Sequence, residues 1–117
     1  MTNTKLAFEV PFLKNTQSQN QVTNAEFASG KAAIMAKYRA ELNDEVSFHI
    51  SGGDGKDYSK IAKVAPGGVE RGEVGTKLEE ATDYQLIGAN AVVYYSVRRN
   101  NIEQGQSAEF RFSVAAS

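Results

Sequence analysis

The sequence predicts an all-β fold, a sandwich of seven to eight antiparallel strands with one short helical turn near 78–86. Three observations carry that prediction. Apolar and polar residues alternate at period two in short runs along the chain, which is the pattern of half-buried strands. Clusters of Gly, Pro, Asn and Asp separate the runs. The length, 117 residues, suits one sandwich and is too short for two cores, so residues 1–117 are read as a single domain.

In chain order, Lys5–Val10 alternates with Leu6, Phe8 and Val10 on one face, and Pro11 ends or bends the run because it lacks an amide donor. Residues 14–21 are polar and read as a loop. Val22 and Phe27 form a short apolar pair before Ser29-Gly30. Lys31–Arg39 places Ala32, Ile34, Ala36 and Tyr38 on one side. Glu41–Asp44 is a turn by composition, and Glu45–Ser51 points Val46, Phe48 and Ile50 inward. Gly52–Ser59 reads as a glycine loop, Ile61–Val64 as a short strand stopped by Pro66-Gly67-Gly68, and Val69–Lys77 as a weaker, bulged strand.

Over Leu78–Leu86, Leu78, Ala81, Thr82 and Gln85 sit at helical spacing, which gives the helical turn. Ala91–Arg98 is the strongest strand, with Ala91, Val93, Tyr95 and Val97 inward. Asn100–Gly105 turns the chain, and Gln106–Val114 closes it with Ala108, Phe110, Phe112 and Val114 inward. Seven or eight such strands in about this length make an immunoglobulin-like sandwich, in which an inward Tyr95 fits a corner tyrosine whose hydroxyl bonds nearby backbone.

The segments 27–38 (FASGKAAIMAKY), 43–52 (NDEVSFHISG), 86–97 (LIGANAVVYYSV) and 105–114 (GQSAEFRFSV) together resemble bacterial immunoglobulin-like domains. Those domains occur in tandem in large surface and repeat proteins, notably of pseudomonads. The likeness covers most of the chain; Ile50 departs from it, standing where an aromatic is common. The resemblance implies a spacer or adhesion module and no catalytic residues.

Composition narrows the function classes. Hydrophobic residues make up 41% and charged residues 23%, the balance of a globular chain. Thirteen Lys and Arg stand against 14 Asp and Glu, a net charge of −1 that argues against nucleic-acid binding through phosphates. Without cysteine the chain has no disulfide and no thiolate metal site. No segment reaches the roughly 18 apolar residues of a membrane span, and no signal-peptide pattern stands at the start. A cytoplasmic location is expected for the chain alone, and the cell surface or secretion if it is a module of a larger protein.

Catalytic chemistry finds little footing. His49 is the single histidine and sits on an outward strand face, where a general base needs a partner and a metal needs more ligands. In Asp54–Tyr58 a lysine splits the two acids, against a calcium loop. Glycines 67, 68, 72 and 75 lack the Lys-Ser/Thr ending of a phosphate loop. Glu79-Glu80 are neighbours that diverge on a helical turn rather than facing across a cleft. No GxSxG elbow accompanies the serines. The chain is therefore expected to be non-enzymatic and to need no cofactor.

A recognition surface is the stronger candidate. With strands 45–51, 91–98 and 106–114 as sheet neighbours, the outward rows are Ser47, His49 and Ser51; Val92, Tyr94, Ser96 and Arg98; and Glu109, Arg111 and Ser113. Val92 and Tyr94 are apolar for such a row, and Tyr and Arg are enriched at interfaces. The candidate binding residues are His49, Val92, Tyr94, Arg98 and Arg111. An open sheet edge that accepts a strand from another copy is a second candidate. The expected partner is a protein or a second copy. The alternative is a carbohydrate, stacked on Tyr94 with His49 and Arg98 or held at Tyr58 beside Asp54 and Asp57.

Overall fold

A computed structural model of the protein describes residues 8–52, 57–78 and 90–115. These residues form nine strands and two short helices: β1 (Phe12–Lys14), β2 (Gln21–Thr23), α1 (Asn24–Ser29), β3 (Ala33–Lys37), β4 (Glu45–Gly52), β5 (Asp57–Lys63), α2 (Pro66–Arg71), β6 (Glu73–Lys77), β7 (Asn90–Arg99), β8 (Ile102–Gln106) and β9 (Phe110–Ala115). The fold is all-β in its framework and consists of two sheets. One has the order β1-β3-β6; the other runs β2-β9-β7-β4-β5, with β8 also paired to β7. All pairs are antiparallel except β2 with β9, which is parallel and departs from the all-antiparallel expectation.

The inward rows are where alternation places them. Val46, Phe48 and Ile50 of β4 and Ala91, Val93, Tyr95 and Val97 of β7 are buried in one cluster with Ile34 and Ala36 of β3. Strand β3 carries more than one buried face, because Ala33 and Met35 are buried too. Met35 lies opposite Gly75. A Cβ at Gly75 would collide with the Met35 thioether and come 2.8 Å from the Ile34 carbonyl oxygen. The glycine is therefore the seat for Met35. The β6 ladder is regular, so the bulge expected for 69–77 is not there; the register shift falls between Val97 and Arg98, opposite β8.

Several boundaries differ from the sequence reading. Among the described residues the first strand follows Pro11: of the run expected at Lys5–Val10, residues 8–10 have no regular structure and Val10 is exposed, while residues 5–7 lie outside the described set. Phe8 still joins the core edge. The 24–29 stretch is helical because Thr23 and Glu26 form a reciprocal capping box. The Thr23 hydroxyl accepts from the Glu26 amide at 3.1 Å, and the Glu26 carboxylate accepts from the Thr23 amide at 2.9 Å.

Pro66 opens α2 at a position where proline's missing donor costs nothing, which turns 66–71 from a strand stop into a helix. The loop at 52–59 is shorter than expected, since β5 begins at Asp57. The turn at 100–105 is only Asn100-Asn101, both left-handed (φ 54° and 65°), and the rest becomes β8. Ala108 is exposed, not inward. Ser107 is buried in its stead, with its amide donating to the Tyr95 carbonyl at 2.8 Å and its hydroxyl accepting from the Tyr95 amide at 3.0 Å. The helical turn proposed for 78–86 lies, apart from buried Leu78, outside the described residues.

Candidate functional site

The six-stranded sheet presents one continuous outward face, and its registers decide which side chains meet. His49 on β4 lies opposite Tyr94 on β7 and Ser59 on β5. Ser51 lies opposite Val92 and Asp57, Val92 opposite Arg111 of β9, and Ser47 opposite Ser96 and Ile61. Strands β9, β7 and β4 are thus neighbours, as the sequence reading assumed.

At the centre the His49 and Tyr94 rings stack, with centroids 4.7 Å apart and planes 20° off parallel. His49 Nε2 and Ser96 Oγ share a hydrogen bond at 3.0 Å. A cross-strand aromatic pair of this kind stiffens a sheet face and presents ring edges outward, because side chains stand nearly perpendicular to the sheet.

Shallow hollows flank the stack. One of about 300 Å³ is bounded by His49, Ser51, Asp57, Ser59 and Tyr94. Another of about 240 Å³ lies on the other side of His49, toward Ser47, Ile61 and Arg98. The largest, about 410 Å³, runs along Val92 and Arg111 to Asn90 and Ser113.

The five candidate residues share this face but form two groups. His49 and Tyr94 touch, and Val92 with Arg111 forms the adjoining pair. Arg98 stands four residues from Tyr94, roughly 13 Å along the strand. There it lies opposite Glu45 and Glu103 and shares only the 240 Å³ hollow with His49. Of the glycine-loop alternative, Asp54 lies outside the described residues, while Asp57 and Tyr58 belong to β5. Glu79 and Glu80 also lie outside them.

The sequence reading missed a buried charge cluster. Asp44 is fully buried and accepts from the Tyr38 hydroxyl (2.9 Å), the Glu41 amide (3.0 Å), Arg99 Nε (2.9 Å) and Arg99 Nη2 (3.0 Å). Arg99 also reaches Glu41 at 3.2 Å. Burial alone would push the Asp44 carboxyl up. The hydrogen bonds from Arg99, the Glu41 amide and Tyr38, with the Arg99 charge, outweigh it and hold the group below its usual value. Burial, followed by the Asp44 hydrogen bond, pushes the Tyr38 phenol up. Four donors converge on the carboxylate, three on Oδ2 and one on Oδ1, so the cluster is a structural clasp. The available signal was the acidic turn 41–44 beside a terminal arginine of the strongest strand, but nothing local in the sequence joins position 44 to position 99.

Among the described residues, no group of three or more His, Asp or Glu is placed to hold a metal ion. None of their helices is long and apolar enough to cross a membrane. No protein-family model, curated protein or solved structure matches this chain.

Proposed function

We propose that the protein is a non-enzymatic β-sandwich module of immunoglobulin-like type, akin to the tandem domains of bacterial surface proteins, that acts as a spacer, adhesion or assembly domain through protein contacts. The observation that carries the reading is the outward sheet face centred on the stacked His49–Tyr94 pair, with Val92 and Arg111 alongside. A rigid aromatic pair loses little entropy on docking, and its surround of serines and charges forms a polar rim. The immunoglobulin-like assignment draws support from the β9-β7-β4 neighbourhood and from a buried tyrosine in the middle of the strongest strand.

A carbohydrate reading is favoured by the 300 Å³ hollow, where Asp57, Ser51 and Ser59 surround the stack. A sugar ring needs an open aromatic face, however, and the imidazole already covers one face of Tyr94. Protein contact is the better fit.

The test is light-scattering mass across a concentration series, together with binding-partner capture, on the wild type and a Tyr94→Ala/Arg111→Glu variant. The proposal expects the wild type to self-associate or capture a partner and the variant to lose that while remaining cooperatively folded. Equal behaviour of both proteins, or selective glycan binding by the wild type, overturns it.

A further inference from the structure

A second concave site lies away from the sheet face, where the end of β3 meets the C-terminus of α2. It is a hollow of about 350 Å³ with Phe8, Lys37, Tyr38, Arg39, Arg71 and Gly72 among its lining residues. Its floor is aromatic: the Phe8 and Tyr38 rings meet edge to face, 5.4 Å between centroids and 71° between planes.

That floor is held in place from behind. Phe8 also contacts the Tyr95 ring at 6.1 Å, and it lies against Gly105, where a Cβ would come within 2.8 Å of the ring. Gly105 has φ 145°, a conformation that other residues rarely take. The Tyr38 hydroxyl is engaged by Asp44, and the Tyr38 amide donates to the Gly72 carbonyl at 3.1 Å. Neither ring can fold into the hollow without breaking these contacts.

The rim is cationic. Lys37, Arg39 and Arg71 are exposed, and none of them forms an ion pair among the described residues. Glu9 is the one acid in the lining, so three positive charges face one negative in a chain whose overall charge is −1. Arg71 is specifically seated: its Nη1 lies 3.0 Å from where a Cβ on Gly67 would stand, so the guanidinium lies back over a bare glycine. Isolated surface cations ordinarily spread into solvent. Three that line one hollow with two fixed rings make a site in which a planar apolar body lies on the aromatic floor and an anionic head meets the guanidinium groups.

We infer that this hollow binds a small aromatic anion, an aryl phosphate or aryl carboxylate, with its ring on Phe8 and Tyr38 and its charge on Arg39 and Arg71.

The experiment is an NMR titration of the isotope-labelled full chain with phenyl phosphate, benzoate, inorganic phosphate and benzyl alcohol. Phenyl phosphate or benzoate is expected to shift the amides of Tyr38, Arg71 and Gly72 and to bind about tenfold more tightly than either inorganic phosphate or the neutral alcohol. Whichever of the two aryl anions binds better identifies the head group. An Arg39→Ala/Arg71→Ala variant should lose roughly tenfold in affinity with an unchanged melting temperature. Gly67→Ala keeps every charge but displaces the guanidinium, and should weaken binding by about threefold. Shifts located elsewhere or none at all, inorganic phosphate binding as tightly as the aryl anions, or unaltered affinity in the double variant would each overturn the inference.

Discussion

The Tyr95 hydroxyl donates a 2.7 Å hydrogen bond to the carbonyl oxygen of Glu9, across 86 positions of chain. The phenol is fully buried in the core apart from this link, so it fastens the segment after the described start of the chain to the strongest strand. A corner tyrosine bonds backbone a few residues upstream; here the same kind of bond joins distant parts of the chain.

Tyr95→Phe keeps the ring and deletes the bond. It should cost about 1–2 kcal/mol, because the Glu9 carbonyl loses its donor. Urea unfolding at neutral pH measures this, and a loss below about 0.3 kcal/mol would show that the bond contributes nothing net.

Burial, then the charge of Glu9, pushes the Tyr95 phenol up to about 12. A folded value above the ordinary 10 means the protonated form is the one the fold favours. Its contribution is complete below pH 10 and falls away as pH rises from 10 through about 12. Melting temperature between pH 9 and 12 should drop more steeply for the wild type than for Tyr95→Phe. Parallel curves would refute the assignment.

The Asp44 clasp makes the opposite prediction at low pH. Its carboxyl is held below the ordinary value, so its contribution is present above roughly pH 4 and is lost as pH falls through the depressed folded value. Asp44→Asn should remove that acid dependence. Arg99→Ala leaves an uncompensated buried carboxylate and should cost about 3–5 kcal/mol. Denaturant titrations at pH 7 and pH 3 on the three proteins are the measurement.

Gly75→Ala places a methyl group against Met35 and the Ile34 carbonyl. It should destabilise by about 1–3 kcal/mol, as overpacking does. Combining it with Met35→Ala should recover part of that loss, since the two changes share one space. Strictly additive costs in a double-mutant cycle would contradict the packing account.

On the sheet face the expectation is different. Tyr94→Ala removes the stack with His49 from a partly exposed position, and should cost no more than about 1 kcal/mol. A stability loss above about 3 kcal/mol would mark the pair as part of the core rather than a surface feature.

The period-two pattern made β4, β7 and their inward rows legible, since each buries one face and exposes the other. It failed where another rule competes. The helix at 24–29 depends on a four-residue cap, which alternation does not register. Strand β8 (IEQGQ) has exposed or half-exposed side chains throughout, so no alternation marks it. The neighbourhood of β4, β7 and β9 was legible, and the β4–β7 register sets His49 opposite Tyr94, whereas Arg98 stands farther along the strand. The Asp44–Arg99 clasp and the Phe8–Tyr38 floor were invisible because they join residues from distant parts of the chain through tertiary packing alone.

The parallel pairing of β2 with β9 has a consequence for how the chain is made. Among the described residues, 21–23 find their ladder partner in 113–115, and the Glu9 carbonyl finds its donor at Tyr95. A ribosome makes those partners well after residues 9 and 21–23. These segments therefore wait for those partners while the residues between them emerge, and the β2–β9 ladder closes only once β9 has been made.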